Sequence, residues 1–324
     1  MSRPGTAGRW LELSVSADGE AVEAVSEILA RVAPGGVVIE PALELLEEGL
    51  AARPDPTRPA VVRAYLPLSP AERGGDVTAR ALEQVRRDLG HLQAFELRPI
   101  SELATREIDE AEWATAWKAS FPVLRIGQRI VIRPSWRRHR ATGEEVVVAL
   151  DPGAAFGTGL HPTTRLCLLG LEALADDGLL AGRRVLDVGC GSGILALAAL
   201  GLGAVAATGV DRDPLAIEAT RGNARRNRVA RRVVTRVGSL PAPGEPFDVV
   251  LANLVAAVLI ELAAGLFAAT RPGRGEPDSG GRLLAGGIFA DREPEVRRAL
   301  AAAGFRLRRR WSEAEWVALE AERL

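Results

Sequence analysis

Apolar and polar residues alternate through Trp10–Val15 (WLELSV), the two-residue period of a half-buried strand. Val22, Val25, Leu29 and Val32 then recur at helical spacing and give one apolar face. GGVVIE and VVRAYLPL read as two further strands. A second helix opens near Asp76 and buries Val77, Ala81, Leu82, Val85 and Leu89. FELRPI, Phe95–Ile100, closes the series as a last strand. Strand, helix, strand, strand, helix, strand is the ferredoxin-like order, expected over residues 1–100. Ala51–Ala60, rich in Pro and Arg, reads as a surface loop between its second and third strands. Residues 101–122 are expected to form a linker helix, with Trp113 and Trp117 one turn apart.

From residue 123 the pattern changes. Two short strands, Val123–Ile126 and Arg129–Arg133, precede a polar, Arg-rich stretch and the strand VVVAL. After Asp151, strand–helix units repeat through RRVLDVG, AATGVD, RRVVTRVG, DVVLAN and RLLAGG. Such repetition implies a parallel sheet covered by helices on both faces. FRLRRRW and EWVALEAE end the chain as a hairpin, so one sheet edge should be antiparallel. The fold class is α/β: a Rossmann-like domain over 123–324, preceded by a smaller ferredoxin-like α+β domain.

Length and charge narrow the picture. The 324 residues have room for two domains. Lys and Arg total 41 against 42 Asp and Glu, a net −1, which gives no general basic excess and so no expectation of direct nucleic-acid binding. The first hundred residues hold 11 basic and 15 acidic groups, a net −4 that suits a basic partner as well as a plain solvated surface. Lys118 is the one lysine. Cys167 and Cys190 form neither a disulfide framework nor a metal-ligand spacing, so no metal is expected. The N-terminus lacks the apolar core of a secretory signal, and no run approaches the ~18 apolar residues of a membrane span. A cytoplasmic monomer is the expectation.

Four segments carry chemistry. In VLDVGCGSGILALAAL a strand runs into Gly189, Gly191 and Gly193, and a helix starts behind them. Glycines let backbone approach a ligand, and helix N-terminal N–H groups suit an anion. A dinucleotide site uses G-x-G-x-x-G around a pyrophosphate. Here the spacing is G-x-G-x-G, and Asp187 would repel a pyrophosphate while suiting the ammonium and sulfonium of S-adenosyl-L-methionine; a nucleotide site or a structural turn are the alternatives. Asp211 ends the next strand, 22 residues after Gly189, where a carboxylate accepts from both ribose hydroxyls. Asp213, just before Pro214, reads as a helix cap. In LDPGAAFGTGLHPTTRLC, Gly153, Gly157 and Gly159 make a pliable loop before a helix; Thr164 is either a cofactor contact or a cap, and His161 either a base or structural. Asn253 stands at the carboxyl end of DVVLAN, where open α/β sheets bind ligands, and its side chain can accept from an amine N–H and aim the nitrogen's lone pair.

These segments together resemble one family, the bacterial methyltransferases of large-subunit ribosomal protein eleven (PrmA). The match includes DPGAAFGTGLHPTT, VLDVGCGSGILALAAL, GVDRDPLAIEATRGNARRN, LANL, and AWKASF followed by RIVIRPSW. The resemblance implies a recognition domain, a linker helix and a class I methyltransferase domain. It implies methylation of lysine and N-terminal amines on the ribosomal protein, with Thr164, Gly189, Asp211 and Asn253 as cofactor contacts. Leu254 stands where the family often has isoleucine, and the 51–60 and 271–281 loops look enlarged. A methyltransferase for another amine, a non-catalytic cofactor-binding module and a dehydrogenase are the competing readings.

Overall fold

The computed structural model describes residues 9–18, 21–33, 37–40, 42–46, 51–54, 58–68, 76–94, 100–109, 122–151, 159–240, 246–273 and 280–324. The chain divides into two compact units, Met1–Pro122 and Val123–Leu324.

In the first unit, β1 (Arg9–Ala17) leads to α1 (Ala21–Ala30), β2 (Val37–Glu40), β3 (Leu43–Leu46), β4 (Ala51–Pro54), β5 (Ala60–Leu68), α2 (Asp76–Ala94) and β6 (Ala104–Asp109). Four strands form an antiparallel sheet in the order β2-β5-β1-β6, with a crossover helix after β1 and another after β5, the split βαβ arrangement of the ferredoxin-like fold. Leu13, Val15, Val25, Leu29, Val62, Val85 and Leu89 fill its core.

Two expectations are corrected here. The fourth strand is Ala104–Asp109, so the linker helix expected over 101–122 cannot begin before residue 110. Ile108 is the sole buried side chain of this strand. One inward residue leaves no periodicity to read, and backbone pairing with β1 decides the conformation. Of Phe95–Ile100, Ile100 makes an isolated bridge to Ala17, while 95–99 and 110–121, with Trp113 and Trp117, lie outside the described residues. Likewise Ala51–Pro54, expected as loop, is a strand paired with Leu43–Leu46. Its Pro54 ends the strand, the place in a sheet where a missing N–H is tolerated.

In the second unit, β7 (Leu124–Ile126), β8 (Ile130–Pro134) and β9 (Val146–Leu150) pair in sequence, β7 with β8 antiparallel and β8 with β9 parallel. Then follow α3 (Pro162–Asp176), β10 (Arg184–Val188), α4 (Ile194–Gly201), β11 (Ala206–Asp211), α5 (Pro214–Arg226), β12 (Val233–Val237), β13 (Val249–Asn253), α6 (Ala256–Ala269), β14 (Arg282–Phe289), α7 (Glu293–Ala303), β15 (Phe305–Glu313) and β16 (Trp316–Arg323). The seven-stranded sheet has the order β12-β11-β10-β13-β14-β16-β15, parallel except for the final hairpin. The order reverses between β10 and β13, which opens a crevice beyond their carboxyl ends. β10 and β13 read as unbroken apolar runs because both their faces are covered: Val185, Leu186, Val249, Val250 and Leu251 are fully buried.

Candidate active site

The strand–glycine–helix segment is built by local geometry. Gly189, Gly191 and Gly193 take φ of +72°, +52° and +80°, the left-handed region in which a side chain is strained. Space is short as well: a Cβ on Gly189 would lie 2.5 Å from Leu254 Cδ2, and one on Gly193 2.9 Å from Thr220 Cγ2. The Gly189 and Cys190 N–H groups donate to the Val210 carbonyl at 2.8 and 3.1 Å, so the loop is hung from the end of β11.

Asp211 completes that end. Its Oδ2 accepts from Gly191 N–H and its Oδ1 from Asp213 N–H, both at 3.0 Å. Two local bonds leave lone pairs on each carboxylate oxygen. A cavity of about 220 Å³ opens here, with Gly189, Asp211, Gly238, Ser239 and Leu254 among its walls. Those residues come from the carboxyl ends of β10, β11, β12 and β13. Asp213 caps α5 as expected, accepting from Leu215 N–H at 2.8 Å with Pro214 behind it.

Asp187 sits deeper, 2 % exposed, and its Oδ2 accepts from Ala196 N–H at 3.1 Å. It therefore satisfies a first-turn donor of α4, whose own N-cap is the side-chain-less Gly193. Burial pushes its carboxyl up to about 7, opposed by the Ala196 bond and aided by the Asp211 charge.

Thr164, in the first turn of α3, and Asn253, the last residue of β13, meet. Asn253 Nδ2 donates to Thr164 Oγ1 at 3.4 Å. Thr164 is not the cap of α3. That role belongs to His161, whose Nδ1 accepts from Thr163 N–H at 3.3 Å and faces Thr163 Oγ1 at 2.8 Å. His161 also stands edge-on to Trp316, and burial together with the Arg165 charge pushes its pKa down to about 4. It is a structural histidine, neutral at physiological pH. Gly153 and Gly157 of the preceding loop lie outside the described residues; at Gly159, φ +86°, an added Cβ would lie 3.4 Å from Ile132 Cγ1 and Ile194 Cδ1.

Three further features of the site were not read from the sequence. Gly286 and Gly287 of β14 run beside Asn253 and Leu254. A Cβ on Gly286 would meet Cys167 Sγ at 2.4 Å and Asn253 Oδ1 at 3.2 Å; one on Gly287 would meet the Leu254 carbonyl at 2.3 Å. Thr220 of α5, fully buried, donates to the Gly191 carbonyl at 2.9 Å. Asn223, also fully buried, donates to the Ser192 carbonyl at 2.9 Å and accepts from Asp151 N–H at 2.9 Å. Asn227, one turn on, brackets Ala149 through its N–H and carbonyl at 2.8 and 2.7 Å. The signal was two amides four residues apart beside small apolar residues, a spacing that marks polar groups on one helix face.

This geometry agrees with comparison to known proteins. Residues 9–324 match the family described as ribosomal protein L11 methyltransferase (PrmA). The chain belongs to the ribosomal protein L11 methyltransferase family. A relative of that name from Chloroflexus aurantiacus is 42% identical, with 96% of this chain and 97% of the relative covered. Another, from Herpetosiphon aurantiacus, is 40% identical over 96% and 98%. The crystal structure of a ribosomal protein L11 methylase from Lactobacillus delbrueckii subsp. bulgaricus, 30% identical, superposes with a TM-score of 0.54 over 62% of this chain and 98% of that one. As a PrmA-family member the chain is a class I, S-adenosylmethionine-dependent protein N-methyltransferase. Among the described residues no helix is long and apolar enough to cross a membrane, and no His/Cys/Asp/Glu group could hold a metal.

Proposed function

We propose that the crevice at β10–β13 holds S-adenosylmethionine and that the acceptors are lysine side chains and the N-terminal amine of ribosomal protein L11. The observation that carries the cofactor assignment is the meeting of Gly189 and Asp211 on one cavity, at a loop where three left-handed glycines carry no side chain. Asp211 takes the ribose hydroxyls, as an acceptor-only group at that strand end does. Gly189, Gly191 and Gly193 give the close approach, and Asp187 supplies negative charge behind them while fixing the start of α4. Thr164 and Asn253 bound the methionine and acceptor end. Asn253 is the residue that touches the acceptor: with its Nδ2 on Thr164, the carboxamide oxygen accepts an amine N–H and aims the lone pair.

S-adenosylmethionine, when bound, supplies a methyl group on a cationic sulfur. The protein's work is orientation and exclusion of water. A lysine amine, with a reference pKa of ~10.4, must lose its proton before it attacks, and a dry site lowers that pKa. His161, capped onto Thr163 and neutral, is not the base. The ferredoxin-like unit, with its acidic excess, is the recognition domain for the basic partner, and the enzyme acts in the cytoplasm as a monomer.

Labelled methyl transfer to purified, unmethylated ribosomal protein L11 tests the reading, with Asp211→Ala as control. Label on lysine or the N-terminus, lost in the control, is the expected result. Tight cofactor binding without transfer to this protein would move the acceptor elsewhere.

A further inference from the structure

Ala219–Leu240 carries seven arginines and no acidic residue, although acids and bases balance across the whole chain. Three of the seven have structural work. Arg221 bonds Thr235, Arg226 pairs with Asp151 at 2.7 Å, and Arg232 bonds the carbonyls of Leu200, in the last turn of α4, and of Ala204 and Val205 beyond it. The side chains of Arg225, Arg228, Arg231 and Arg236 are exposed and make no hydrogen bond or ion pair among the described residues.

Arg236 is on β12, one edge of the seven-stranded sheet; Arg231 is in the 230–232 turn just before it, and Arg225 and Arg228 are at the end of α5, which packs against β12. Among the described residues no helix intervenes between β12 and β13, and Val234 and Val237 stand 53% and 59% exposed. The acids flanking this stretch in sequence are Glu218, in the first half of α5, and Glu245, beyond β12.

Arg228 supplies an independent observation. Helix α5 ends in a Schellman motif: Val229 N–H donates to the Ala224 carbonyl and Arg228 N–H to that of Arg225, both at 3.0 Å. Arg228 occupies the left-handed position, φ +58°, that glycine ordinarily fills. A long cation in a position where glycine relieves strain is an outlier that points to a role for its side chain. Arginines on an edge strand also discourage strand pairing. That role does not account for Arg225 and Arg228, which are on or beyond the helix.

We propose that this edge is a contact surface for the phosphate backbone of RNA. Guanidinium forks match phosphate oxygens in pairs, and a cationic edge without base-reading pockets gives sequence-independent binding. The choice of RNA rests on the ribosomal-protein reading above; the cationic edge does not.

The test uses the full chain, fluorescence anisotropy, a labelled RNA hairpin and a DNA duplex of equal length. Four phosphate contacts predict a log–log salt slope near −3.6, about a 150-fold loss of affinity between 50 and 200 mM salt. Arg228→Gly suits its backbone and should melt no lower than wild type, yet flatten the slope by ~1. Arg225→Gln, Arg228→Gly, Arg231→Gln and Arg236→Gln together should abolish the salt-dependent binding. Phosphate contacts alone give similar affinity for the RNA and the DNA; the proposal is overturned if wild type shows no salt-dependent binding, if the fourfold variant binds RNA like wild type, or if polyglutamate binds and RNA does not. Methyl transfer, scored separately on free ribosomal protein L11, reports on the acceptor assignment alone.

Discussion

Gly287→Ala is the substitution that most directly questions how Asn253 is held. Gly287 has φ +80°, and a Cβ there would lie 2.3, 2.7 and 3.0 Å from the carbonyl oxygen, carbonyl carbon and nitrogen of Leu254. The obstacle is backbone, so no side-chain rotation relieves it. Leu254 N–H donates to the Gly286 carbonyl at 3.1 Å, so moving Leu254 also disturbs the bond that ends β13 beside β14. Left-handed strain costs about 1–2 kcal/mol and overpacking about 1–3 kcal/mol, together ~2–5 kcal/mol. For a unit of this size that lowers Tm by about 5–15 °C. Gly178→Ala separates the two contributions: its φ is +72°, with nothing within 4 Å of the added Cβ, so only the strain remains. Because Asn253 immediately precedes Leu254, a shift of ~1 Å should cost on the order of 10²-fold in kcat for Gly287→Ala, and none for Gly178→Ala. Differential scanning fluorimetry and labelled methyl transfer read both quantities. Equal melting of the two variants, with kcat unchanged in both, would refute the claim that the glycine pair of β14 sets the position of Asn253.

Asn223→Ala removes a fully buried amide that serves Ser192 and Asp151, leaving donors and acceptors unpaired at about 1–3 kcal/mol each; a melt matching wild type, with unchanged cofactor affinity by calorimetry, would show that the glycine loop does not depend on α5. Asp187 has a folded pKa raised to about 7, so its contribution to stability is complete below about pH 4 and is lost as pH rises towards 7. The cofactor-free protein should thus lose on the order of 4 kcal/mol across that window, and Asp187→Asn should remove this slope while keeping an acceptor for Ala196; parallel melting curves for the two proteins would sink the assignment. If loss of a proton from the acceptor limits transfer, the rate falls as the medium is acidified, and a single-turnover rate flat from about pH 6 to about pH 10 would exclude that limit.

What could be read from the sequence follows from what each signal reports. The glycine spacing after β10, Asp211 at the end of β11 and the closing hairpin all declare themselves locally, because one strand, one turn or one cap fixes them. β6 did not, since an edge strand with only Ile108 turned inward gives burial nothing to record. The β3–β4 hairpin was hidden in the same way by the Pro and Arg around it. Asn223 and Asn227 were visible as residues but silent as partners: the groups they bond, Asp151 and Ala149, are 72 and 78 positions away.

The contact between Thr164 and Asn253 shows why the site itself is the least local feature. Its two residues are 89 apart, on α3 and β13, and come together only because the strand order puts β13 beside β14 under α3. Gly286 and Gly287 then have a reason that no periodicity contains. They are glycines because another strand's Asn253 and Leu254 occupy the space a Cβ would need. A sequence window sees only a weakened strand there, whereas the fold sees the wall beside Asn253, the proposed acceptor end of the site. Net charge fails by the same route. It averages an acidic first hundred residues, net −4, with the seven arginines of 219–240, and so reports neither.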